Sequence, residues 1–246
     1  MSALQVHVAI GDADAALDVH NALRSCLPEL AALAANAPFR AGGDSGLASI
    51  RPKVCELLPR QGVPPAIPSW QAFADDLRWG ARSATLADPG GWWWELRPHP
   101  THGTLELRVP DAQATVADAE AVVAVAHALV ARLVERHGAG EDLPVDPTWR
   151  IEENRWSACR WGVEGVLADL RTGERRPTRA RLHGLLDELE PVAARLGGAQ
   201  GLVHARDLVE RNGALRQRAA AASGPASRTG AHAAAAWLAD AFLAGV

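Results

Sequence analysis

Residues 92–111 read WWWELRPHPTHGTLELRVPD, and their alternation decides what kind of fold the chain can adopt. At period two, Thr104, Glu106 and Arg108 fall on one side of a strand, and Leu105, Leu107 and Val109 on the other. The run before them alternates as well, with Trp93, Glu95 and Arg97 set against Trp92, Trp94 and Leu96. Between the two lies Pro98-His99-Pro100-Thr101-His102-Gly103, a segment of turn chemistry. The pattern predicts a β-hairpin with one apolar face and one face carrying Glu95, Glu106, Arg97 and Arg108. Such charges are stable as cross-strand ion pairs in water or, if shielded, around an ion and its counter-charges. A carboxylate beside an arginine in an apolar setting is also what a magnesium and phosphate site requires.

Outward from the hairpin, residues 4–10 alternate as a strand, with Gln5 and His7 on one face and Val6 and Val8 on the other. Residues 12–35 have helical spacing through Ala16, Leu17, Val19, Leu23, Leu27, Leu30 and Leu33, with Asp12 or Asp14 as cap. Pro28 should kink that helix or split it. Residues 36–68 form a long connection rich in Gly and Pro, of a kind that is often functional. A helix is predicted over 71–85 and another over 114–137, whose apolar positions cover most of its circumference and so call for burial against the sheet. From residue 146 the pattern is helical with short breaks, over 152–162, 179–196, 199–212, 214–222 and 231–244. The low-complexity stretch 219–230 reads as a loop. The expected class is α+β, an antiparallel sheet packed by long helices with a helical C-terminal third. Residues 1–145 would be the sheet-and-helix part and 146–246 the helical part of the same domain.

Composition narrows the function classes. The 246 residues are 48% hydrophobic and 22% charged, an ordinary balance for a chain that buries a substantial core. The formal charge of -4 offers no basic field to nucleic acid, so none is expected as a partner. Cys26, Cys55 and Cys159 are odd in number and lack metal-ligand spacing, which fits reduced thiols in a cytoplasmic protein. No apolar run approaches membrane-spanning length, and the first residues lack the pattern of a signal peptide. Nine Trp with no Tyr, and a single lysine (Lys53) among 25 basic residues, look like the drift of an Ala- and Arg-rich proteome.

Several motifs follow one another in a specific order: Leu4-Gln5-Val6-His7-Val8; the loop from Asn36-Ala37-Pro38-Phe39 to Asp44-Ser45-Gly46-Leu47-Ala48-Ser49, with Arg51; and Trp-Trp-Glu-Leu-Arg-Pro-His-Pro in the hairpin. Thr104-Leu105-Glu106-Leu107-Arg108, Glu153-Asn154-Arg155-Trp156 and Asn212-Gly213-Ala214-Leu215-Arg216-Gln217-Arg218 complete the series. Over essentially the whole chain this resembles the carboxylate-amine ligase family, the bacterial type 2 glutamate-cysteine ligase group, which is related in fold to glutamine synthetase.

The resemblance implies an ATP-dependent ligase that phosphorylates a carboxylate to an acyl phosphate, which an amine then converts to an amide. It implies ATP and Mg²⁺ as cofactors, and a small carboxylate, glutamate by family expectation, and an amine as substrates. Phosphoryl transfer is mostly positioning and charge neutralisation, which explains the residue types. By family match Glu106 is the metal ligand, and Arg108, on the same face, reaches the γ-phosphate or the acyl phosphate. Arg97 and Arg51 are candidates for that charge or for the substrate carboxylate. His7 matches a histidine that looks ATP-contacting, and Arg155 and Arg218 lie in motifs that could reach nucleotide phosphates. The alternatives are hydrogen-bonded structure for His7 and helix-surface ion pairing for the two arginines.

Two departures stand beside these matches. The family pattern near the start is His-x-His, and Gln5 holds the first position, a weaker and uncharged metal donor. Family members are also longer at the amino end, where a glutamate-rich strand supplies further metal ligands. The expectation is therefore the catalytic C-terminal portion of such a ligase, self-associated or completed by a partner subunit that supplies the missing strand. The alternatives are one half of a split ligase, or a degenerate, non-catalytic binding or regulatory subunit.

Overall fold

The computed structural model describes residues 2–86, 88–223 and 230–244. Its first strand, β1 (Val6–Ala9), is prolonged by a bridge between Ala3 and Asp111 and by the Leu4 amide donating to the Pro110 carbonyl. Helix α1 (Ala13–Leu23) starts where Asp12 accepts from the Asp14 and Ala15 amides, the cap expected of that aspartate. It ends in a 3₁₀ turn over Arg24–Cys26, after which α2 (Leu27–Leu33) carries Pro28 in its first turn. The split falls where Pro28 predicts it, since its ring has no N–H for the preceding turn.

The hairpin consists of β4 (Leu96–His99) and β5 (Thr104–Leu107), and with β1 it makes a three-stranded antiparallel sheet in the order β1-β5-β4. Its register is regular: Val6, Leu107 and Leu96 form one row, His7, Glu106 and Arg97 the next, then Val8, Leu105 and Pro98, then Ala9, Thr104 and His99. Alternate rows face opposite ways, so the second and fourth rows make one polar face. The strand expected over 92–97 is displaced along the chain, taking in Pro98 and His99 of the expected turn. It begins at Leu96, because the chain before it bends to give the Glu95 amide to the Gly62 carbonyl and the Gly90 and Trp92 carbonyls to Arg97.

The apolar face lies against α1 and α5 (Val116–Gly138), capped by Thr115. Buried positions run all along α5, from Ala121 and Val122 through Val125, Ala126 and Leu129 to Leu133, as its nearly continuous apolar surface requires. One cluster joins Leu96, Leu105 and Leu107 of the sheet to Leu182, Leu186, Leu202 and Leu208 of the C-terminal third, so the core crosses residue 146 without a break. Each such leucine contributes about 1.5–3 kcal/mol by burial.

The connection 36–68 holds a two-residue-per-strand hairpin, β2 (Phe39–Arg40) and β3 (Gly43–Asp44), and α3 (Arg51–Cys55). Side chains anchor the remainder: Asn21 exchanges two hydrogen bonds with the Ile67 backbone, Arg24 takes the Pro64 carbonyl and Glu152 accepts the Val63 amide. The rest of the chain is α4 (Trp70–Arg82), α6 (Thr148–Trp161), β6 (Val166–Ala168), β7 (Arg175–Pro177), α7 (Thr178–Arg195), α8 (Ala199–Arg211), α9 (Gly213–Ser223) and α10 (Gly230–Ala244). The β6/β7 hairpin corrects the purely helical reading of this third; its strands of three residues are too short to show a period. Of the expected loop 219–230, residues 219–223 are the end of α9, Gly230 begins α10, and 224–229 lie outside the described residues. No helix among the described residues is long and apolar enough to cross a membrane.

A charged sheet face as the candidate active site

Glu106 stands in the middle strand and only 1% of its side chain is exposed. Arg97 Nε donates to its Oε2 at 2.6 Å from the neighbouring strand, and Arg108 Nη1 donates to its Oε1 from two residues further along β5. Burial alone would raise the carboxyl's pKa, but the Arg97 hydrogen bond and the Arg108 charge outweigh it and hold Glu106 below its ordinary range. The two arginines differ in what remains to them. Arg97 is nearly buried and fastened to the Gly90 and Trp92 carbonyls, whereas Arg108 is 22% exposed and its Nε and Nη2 have no hydrogen-bond partner among the described residues.

His7 faces Glu106 across the β1/β5 pair, its Nε2 3.8 Å from Glu106 Oε1, and its Nδ1 meets Thr104 Oγ1 at 2.9 Å. Next to it His99 and His102 stack at 4.3 Å between ring centroids, and His7 lies 5.4 and 5.5 Å from them. Burial, then the Arg97 and His102 charges, push the His99 pKa down. The sheet therefore brings Glu106, Arg97, Arg108 and His7 to one place. Gln5 is exposed and lines a small cleft with Arg108, two rows from Glu106 on the same face.

The other expected site residues are placed differently. Arg51 is buried behind Arg108: its Nε donates to Asp111 Oδ1 at 2.6 Å, and its Nη2 donates to the Arg108 and Val109 carbonyls. It acts on Arg108 through the backbone. Arg155 is 1% exposed and forks onto Glu95, Nε to Oε2 at 2.6 Å and Nη2 to Oε1 at 2.7 Å, while Nη1 reaches Glu56 and Glu152. Burial works against this guanidinium's charge, yet Glu95 outweighs it and raises its pKa. A guanidinium so enclosed has no face left for nucleotide phosphate. Arg218 forks onto Asp44 at 2.9 Å for both bonds and takes the Leu47 carbonyl, joining α9 to the glycine-rich loop and touching no member of the Glu106 cluster.

Asp111 and Asn36 carry a support that pattern reading does not single out. Asp111 holds Arg51 with one oxygen and the Asn36 amide with the other, and Gln217 donates to the Asn36 carbonyl and Oδ1. A Cβ at Gly213 would stand 1.9 Å from Asn36 Oδ1, which is why the Asn212-Gly213 motif needs glycine there. Asp111 closes the quoted stretch and Asn36 opens a quoted motif, but neither position shows its partner.

A Mg²⁺ site is not complete on these residues. Among the described residues no three His, Cys, Asp or Glu side chains converge to hold a metal. Glu106 already meets two guanidiniums, and Gln5 lies beside a cation and not beside Glu106.

The family model described as glutamate-cysteine ligase family 2 matches residues 1–236. A protein of Thermobifida fusca, provisionally named glutamate-cysteine ligase 2, is 36% identical over 199 residues, covering 81% of this chain and 50% of its own length. Similar proteins, named in the same provisional way, occur in Frankia alni, at 38% over 220 residues with 89% and 57% covered, and in Gloeobacter violaceus, at 36% over 216 residues with 87% and 58% covered. The chain thus spans a little over half the length of the curated relatives it matches.

Proposed function

We propose, from the premise that the chain belongs to glutamate-cysteine ligase family 2, that it forms part of an ATP-dependent carboxylate-amine ligase acting through an acyl phosphate. A substrate carboxylate oxygen attacks the terminal phosphorus of ATP and the bond to ADP breaks. The amine nitrogen then attacks the acyl carbon, phosphate leaves, and the nitrogen gives up a proton to become the amide. Glutamate is the acyl donor and cysteine the amine that the relatives' names suggest.

The observation that carries this proposal is the pairing of one buried carboxylate with one half-open arginine. Arg108 can keep Glu106 on Nη1 and turn Nε and Nη2 to a phosphoryl or acyl-phosphate oxygen, the fork geometry in which guanidinium binds best. Arg97 holds Glu106 from the other side and adds charge. His7, oriented by Thr104, offers a ring nitrogen at the edge of the same face. Because these residues do not fit a Mg²⁺ site of their own, the metal would arrive bound to the nucleotide and touch at most Glu106.

Calorimetric titration of the 246-residue chain with a nonhydrolysable ATP analogue tests the proposal. Micromolar binding strengthened by Mg²⁺, with ADP release from ATP abolished in Glu106→Gln, is expected. Absence of nucleotide binding, or turnover unchanged in that variant, would overturn it.

A further inference from the structure

Asn36 has no polar group to spare. Its amide donates to Asp111 Oδ2 at 2.8 Å and its Nδ2 to the Ala112 carbonyl at 2.7 Å. Its carbonyl and its Oδ1 both accept from Gln217 Nε2, at 2.7 and 2.6 Å. Asp111 is equally committed, one oxygen to Asn36 and the other to Arg51, and Arg51 carries the series on to the Arg108 and Val109 carbonyls. On its other side the Arg108 amide donates to the Glu95 carbonyl at 2.7 Å. The backbone of the open arginine is thus held from two directions, and one of the two supports begins on α9.

Docking of α9 does not depend on Gln217. The Ala214 amide donates to the Ala35 carbonyl at 2.9 Å, Asn212 Nδ2 to the Ala32 carbonyl at 3.0 Å, and Arg218 forks onto Asp44. Gln217 is buried, and among the described residues it alone donates to the two acceptors of Asn36. A series in which every member is paired transmits a displacement, because no member can move without leaving a polar group bare.

We infer that Gln217 is a positioning residue for Arg108, acting through Asn36, Asp111 and Arg51, so that the seating of α9 sets where the unspent nitrogens of Arg108 point. A guanidinium that must meet its oxygen in a fixed geometry loses binding when its backbone shifts. What Arg108 meets rests on the ligase proposed above; the coupling of α9 to its backbone does not.

Gln217→Met keeps the length of the side chain and removes the donor. Affinity for the ATP analogue is titrated in the wild-type chain, in Gln217→Met, in Arg108→Ala and in the double variant, and amide hydrogen exchange is followed by mass spectrometry without ligand. The expected result is roughly fivefold weaker binding in Gln217→Met and no further loss when that change is added to Arg108→Ala. Exchange at residues 108–111 should become several-fold faster while that of α9 stays the same. A side chain that only stabilised the fold would add its loss to that of Arg108→Ala. Such additivity, or unchanged exchange at 108–111, would overturn the inference. Asp111→Asn, which keeps the shape and one acceptor for Arg51, should give the same pattern, and its failure to do so would overturn the inference even if Gln217→Met does not fold. If the analogue does not bind the wild-type chain, the ligase proposal falls, and the exchange rates alone uphold or overturn the coupling.

Discussion

Glu95 and Glu106 are two buried carboxylates in one hairpin, each met by arginine, and they differ in what their partners have left. Glu95 is forked by a single guanidinium that is 1% exposed and whose third nitrogen is also taken. Glu106 is shared between two guanidiniums, one of them 22% exposed with nitrogens unpaired among the described residues. The first pair is closed and can only hold α6 against the hairpin. The second is open and can exchange a partner for a ligand. Residue type does not separate scaffold from site here; the count of unspent donors does.

The largest expected effect is at the closed pair. Arg155→Ala leaves Glu95 charged, buried and alone, and should destabilise the chain by about 3–5 kcal/mol in urea unfolding. A loss under about 1 kcal/mol would mean Glu95 finds water and the pair is not a strut.

Acid separates both pairs from the buried His20, whose pKa burial pushes down to about 4 from 6.5. Its Nδ1 meets the Asn21 side chain and the ring is fully buried. The unfolded state binds the proton first, so stability should be complete above about pH 6.5 and fall by up to about 3 kcal/mol toward pH 4. The Glu106 contribution has the same sign but a lower window. It is intact above the unfolded pKa of 4.5 and lost as pH falls through the lower folded value. A His20→Gln variant that keeps the loss between pH 6.5 and 4 would refute the histidine assignment.

At the open pair Glu106→Gln should cost less stability, about 1–2 kcal/mol, since an amide oxygen still accepts and Arg108 reaches water. Smallest of all, Thr104→Val should leave stability within about 0.5 kcal/mol while weakening binding of the ATP analogue a few-fold through His7. An unchanged affinity would remove His7 from the site.

How much of this was legible in the sequence follows the range of each interaction. Alternation through 104–109 and through Gln5 to Val8 gave the sheet's two faces, and register then put His7, Glu106 and Arg97 in one row. Pro28 marked its own helix break. The Glu95–Arg155 pair spans 60 residues, and Arg51–Asp111 another 60, and no local period records such partners. Arg155 therefore looks like a phosphate-binding arginine in a motif until its burial is seen. The β6/β7 hairpin escaped because β7 is charged and exposed and β6, though it buries Leu167, is too short to show a period.

The most direct test of the contrast is the affinity of the nonhydrolysable ATP analogue for Arg108→Ala, measured beside thermal unfolding of the same protein. A loss of at least about tenfold with little change in unfolding temperature is the predicted result, because Arg108 spends one nitrogen on the fold and offers the rest to ligand. Unchanged affinity would show that the open arginine is not the binding group and that both pairs are scaffold.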